Sequence, residues 1–98
     1  MKLVRDRIPE IIKKNNKNPI VYVADSEEYY KALIGKLNEE LKEFVDSNNI
    51  EELVDIMEVI YAIAEYKKTD KNKLEDLRIK KALERGQFKN RFILKEVK

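Results

Sequence analysis

Three polar residues, Ser47-Asn48-Asn49, interrupt a long stretch of sequence whose apolar side chains recur at helical spacing. Before them Tyr29, Leu33, Leu37, Leu41, Phe44 and Val45 mark one helix from about 26 to 46. After them Leu53, Val54, Ile56, Met57, Val59, Ile60, Ile63 and Ala64 mark a second from about 50 to 67. A connection this short leaves the second helix no course but back along the first, so the pattern predicts an antiparallel helical hairpin. Asp25, with Glu28 three residues on, reads as the cap that opens the first of these helices.

The flanks are shorter and less regular. Pro9 suits a first helical residue and opens a short helix that runs to about Lys14, where Asn15 to Asn18 break it. Ile20-Val21-Tyr22-Val23 is β-branched and aromatic and too short for a helix, so it reads as a strand. Thr69-Asp70 caps a further helix carrying Leu74, Leu77, Ile79 and Leu83, which ends at Gly86, and Phe92-Ile93-Leu94 reads as a closing strand. Two lone short strands need each other and a covering surface, so the expectation is a mainly all-α fold. It has about four helices around an antiparallel hairpin, with a small two-stranded β element. With 98 residues, 41% of them charged and only two Gly and two Pro, the chain reads as a single helix-rich domain over 1–98. The apolar breadth of the helix after Asn49 exceeds what one neighbour buries, which predicts a homodimer or homotetramer.

Two absences narrow the chemistry. With neither Cys nor His in the chain, thiolate and imidazole ligands are excluded, as is the commonest general base. Any metal is then bound through oxygen, which suits hard cations such as magnesium, calcium or manganese. No apolar run approaches a membrane span, so no membrane partner is expected, and a cytoplasmic location is the default reading. Charge is segregated: residues 25–65 carry 12 acidic and 3 basic side chains, against 7 acidic and 18 basic elsewhere. An acidic centre attracts cations and basic flanks attract phosphate, while the acidic centre makes a nucleic-acid partner unlikely.

The acidic residues fall in unusual places. On the first long helix Leu33, Leu37 and Phe44 define an inward stripe whose missing member is Glu40, with Glu43 beside it. On the second, the stripe of Ile56, Val59 and Ile63 extends back to Glu52, with Asp55 on the adjacent row. Two inward acidic pairs on facing helices repel one another unless they are protonated or share a cation. Glu52 also stands where a capping box would end, and Glu39, Glu43, Glu51 and Glu58 also fit a solvated helix surface.

Glu39-Glu40-Leu41-Lys42-Glu43 followed by Glu52-Leu53-Val54-Asp55 resembles the paired EExxE and ExxD signature of the MazG-like all-α nucleoside triphosphate pyrophosphohydrolases. The N-terminal segment from Lys2 to Ile12 and Glu84-Arg85-Gly86-Gln87-Phe88 are similar to the small single-domain house-cleaning branch of that superfamily. Gln87 departs from a second glycine often found there, and the gap between Glu43 and Glu52 is short for the superfamily. The resemblance implies hydrolysis of a nucleoside triphosphate between the α- and β-phosphates. It implies magnesium, with manganese as a substitute, on Glu40, Glu43, Glu52 and Asp55. Glu39 would assist as a water-orienting residue beside Glu43, and Glu58 is a further candidate. Phosphate charge has to be met by basic residues, of which Arg5, Arg85, Arg91 and Lys2 are the candidates, and Tyr61 or Phe88 is a candidate to stack on the base. The competing expectation is a catalytically silent helical module whose acidic stripe recruits a basic protein partner.

Overall fold

A computed structural model describes all of residues 1–98. It contains four helices and no strand: α1 (Ile8–Lys14), α2 (Ser26–Ser47), α3 (Ile50–Tyr66) and α4 (Lys71–Arg85). The helix ends follow from side-chain chemistry. Asp25, Asn49 and Asp70 each accept a hydrogen bond from a backbone N–H of the first turn, from Glu28, Glu51 and Lys73 at 2.9, 3.0 and 2.8 Å. Glu28 does not close a capping box, because its carboxylate instead accepts from the Tyr22 hydroxyl. Asn48 stops α2 in the left-handed region (φ 54°), where its N–H donates to Phe44 O at 2.8 Å. The α3 terminus has the same character. Lys68 takes φ 63°, the Thr69 N–H donates to Ala64 O and the Lys68 N–H to Glu65 O, the two bonds of a Schellman motif.

The tight turn at Asn48-Asn49 does what its length requires: α2 and α3 pack against each other as an antiparallel pair. Tyr30 near the start of α2 stacks on Tyr66 at the end of α3, with ring centroids 4.8 Å apart, and Tyr29 meets the same ring edge-on. α4 touches only α3, and α1 packs against no other helix, so the molecule is long, 61 × 32 × 22 Å. No helix is long and apolar enough to cross a membrane.

The expected pair of strands is not formed. Ile20–Val23 and Phe92–Leu94 are extended, but no backbone hydrogen bond joins them, and Ile20, Val23, Phe92 and Ile93 all stand almost fully exposed. A two-stranded ribbon needs a surface to cover it. The hairpin offers neither segment one, since Tyr22 turns to Glu28 at the start of α2 and the C-terminal segment follows a helix that touches α3 alone.

Interior packing is sparse. Only four side chains are buried, Leu33, Val59, Ala64 and Glu40. One of the four is a carboxylate, and that residue organises the site.

Candidate metal centre

Glu40 lies seven residues after Leu33, two turns along the same face of α2, so the packing that buries Leu33 against α3 buries Glu40 as well. It is 6% exposed. One of its oxygens lies 3.2 Å from the Lys36 ammonium, while the other, Oε2, is enclosed and has no hydrogen-bond partner. From α3, Glu52 faces it with an Oε2 that is likewise enclosed and unpartnered. Two such carboxylates are costly for a chain to maintain unless one is protonated toward the other or a cation is shared between them.

Glu40 belongs to two carboxylate groups. Oxygens of Glu39, Glu40 and Glu43 lie within 4.8 Å of one another, and so do oxygens of Glu40, Glu52 and Asp55. The four residues expected from the sequence to hold a metal thus fall into two groups that share Glu40: Glu52 and Asp55, both half-buried, join it on one side, and half-buried Glu39 and exposed Glu43 on the other. The donor set is oxygen throughout, which suits magnesium or manganese.

The electrostatics agree with a site short of positive charge. The Glu52 carboxyl is pushed up to about 7, first by loss of hydration, then by hydrogen bonding to Glu40 and by the negative charges of Glu43, Asp55 and Glu40. Burial works to lower Lys36, but Glu40 and Glu39 outweigh it and hold the ammonium above its ordinary value. Arg5 supplies the other nearby cation. Its guanidinium donates to Asp55 Oδ1 at 2.6 Å and stands 3.9 Å from Glu58.

Glu40, Glu43 and Asp55 border a cleft of about 720 Å³ between the N-terminal segment and one face of the hairpin, while Glu39 and Glu52 lie outside its lining. Lys2 and Arg5 enter it from the segment, Glu40 and Glu43 from α2, and Asp55 and Glu58 from α3. Tyr29, Tyr61 and Glu65 also line it, and the Lys71 ammonium sits 4.9 Å from the centre of the Tyr61 ring. A cleft of this size accommodates a nucleotide-sized ligand.

Not every candidate reaches it. Arg85 and Arg91 lie outside the cleft lining, with Arg85 closing α4 and Arg91 beyond it at φ 56°, and Phe88 is fully exposed away from it. Sequence reasoning did not single out Lys36, Tyr29 or Lys71. Lys36 was discoverable, since a lysine four residues before an inward glutamate is within ion-pair reach. Tyr29, four before Leu33, extends the same stripe. Nothing local marks Lys71, because its position depends on how α4 leaves α3.

No family model matches the chain, and no solved structure does. An uncharacterised protein of Mycolicibacterium smegmatis (strain ATCC 700084 / mc(2)155) is 46% identical to it over 41 residues, which are 42% of this chain and 42% of that protein. The chain therefore matches less than half the length of that relative.

Proposed function

We propose that the chain is a magnesium-dependent nucleoside triphosphate pyrophosphohydrolase of the MazG-like all-α kind, acting as a cytoplasmic homo-oligomer. The observation that carries the reading is the buried Glu40, unpartnered at Oε2 and common to two carboxylate groups. Glu40, Glu43, Glu52 and Asp55 would hold the metal, magnesium or manganese in its place. Bound there, such an ion supplies charge neutralisation for a polyphosphate and a Lewis acid for its cleavage. The chain's own residues do the rest. Glu39, half-exposed beside Glu40 and Glu43 and paired with Lys36, would accept a hydrogen bond from an attacking water. Lys2 and Arg5 meet the phosphates from the N-terminal segment, and Tyr61 offers its ring to the base. Arg85 and Arg91 lie outside the cleft lining of their own chain.

The oligomer rests on the opposite face of the hairpin. Ile34, Leu41 and Val45 on α2, with Leu53, Met57 and Ile60 on α3, are large, apolar and exposed. They sit one to two residues on from the cleft-facing positions, turned by roughly 100–200° around each helix. A continuous apolar face of this kind on a chain with four buried residues calls for a second hairpin, and an identical copy provides one with matching length and pattern. The same face also favours the second reading, a catalytically silent module that docks a partner protein.

Phosphorus NMR of a panel of ordinary and damaged nucleoside triphosphates, with and without magnesium, separates the two. The expected result is release of pyrophosphate and nucleoside monophosphate only when metal is present, lost in Glu43→Gln. Release of orthophosphate and nucleoside diphosphate, metal-independent cleavage, or no cleavage of any triphosphate would count against the enzyme.

A further inference from the structure

The N-terminal segment is held over the cleft in an economical way. α1 packs against no other helix and buries no residue, and Leu3 and Val4 ahead of it are only half-buried. The ion pairs of Arg7 and Lys14 are both with Glu10, inside the segment itself. Arg5 alone forms ion pairs from this segment to the hairpin, and its main partner is Asp55, a member of the carboxylate group that also contains Glu40 and Glu52.

A guanidinium 2.6 Å from Asp55 Oδ1 occupies one of the few oxygens a divalent ion would use, and brings a like charge next to it. Both partners are substantially exposed, with side chains at 51% and 39% of full accessibility, so the pair contributes little stability and exchanges readily. We propose that Arg5 is the stand-in cation of this site. It competes with a divalent metal for Asp55, tying the N-terminal segment to the hairpin when metal is absent. When metal takes Asp55, the guanidinium is released. A planar fork of N–H donors suits a phosphate oxygen pair as well as a carboxylate, so the freed Arg5 passes from Asp55 to the polyphosphate without leaving the cleft. Arg5 is in this sense a positioning residue for the segment as well as a phosphate contact. The inference rests on the metal reading above and adds to it an antagonism between segment and ion.

The test is a calorimetric titration of manganese into the metal-free protein, its R5M variant and its R7M variant. R7M removes the same charge two residues away, where Arg7 faces Glu10. The expected result is manganese binding roughly two- to five-fold tighter in R5M, the fold-change equivalent to an exposed ion pair, with R7M unchanged. Hydrogen exchange supplies the second readout: manganese should quicken exchange of the Ile8 amide, which donates to Arg5 O, and of the Ile11 amide, which donates to Arg7 O, in the unsubstituted protein. Unchanged or weaker binding in R5M, equal tightening in R7M, or protection of the segment by metal would overturn the competition while leaving the metal site standing. Failure of the unsubstituted protein to take up manganese would instead remove the metal reading, and the competition with it.

Discussion

Glu52 carries the most informative ionisation in the chain. Its carboxyl titrates at about 7 in the folded protein against 4.5 as the ordinary value, so between those limits the folded chain holds a proton that the unfolded chain has lost. Stability from this group is therefore complete below pH 4.5 and falls as pH rises toward and through 7. Glu52→Gln, an uncharged mimic of the protonated form, should melt with the parent at pH 5 in the absence of metal and above it at pH 8. Calorimetric melting at the two pH values checks this, and equal melting at pH 8 would show that the carboxylate is not crowded by its neighbours. The residues of the site were legible from sequence because a glutamate in an apolar stripe is anomalous on spacing alone. The contact between Arg5 and Asp55 was not. The two are 50 residues apart, and no local pattern announces a contact that depends on how the segment before α1 lies against the hairpin.

The helices themselves were readable to within a residue or so, because their limits are set by short-range chemistry. Asp25, Asn49 and Asp70 cap through their own side chains, and Asn48 and Gly86 accept the positive φ that ends α2 and α4. Asn49→Ala should destabilise the protein by about 1 kcal/mol, the usual cost of a lost cap. In a domain of this size the melting temperature would fall by roughly 4–8 °C. Gly35, in the middle of α2, points in the other direction. A methyl group there meets nothing within 4 Å, so Gly35→Ala should stabilise by roughly 0.5–1 kcal/mol through the reduced freedom of the unfolded chain and better helix propensity. Thermal melts of the two variants should move oppositely. The β segments misled for the reason that local composition is a weak guide to sheets: Ile20–Val23 has strand-forming residues and no partner, and pairing is a long-range event.

At the scale of the molecule, an acidic hairpin has a charged cleft on one side and an apolar back exposed on the other. Three buried apolar side chains are too few to hold 98 residues of which more than forty per cent are charged. Light scattering should give a mass of at least twice 11.7 kDa, and Ile60→Glu, which sets a charge on the apolar back of α3, should lower it toward one chain. A monomeric parent would leave that face to another protein. The central claim, however, is the metal site, and calorimetric titration of magnesium or manganese at pH 7.5 into the parent and Glu40→Gln tests it most directly. The expected result is saturable binding with release of only a fraction of a proton from Glu52 in the parent, and affinity reduced about 100-fold in Glu40→Gln, since both carboxylate groups share that residue. Equal affinity in the two proteins, or no binding in the parent, would contradict it.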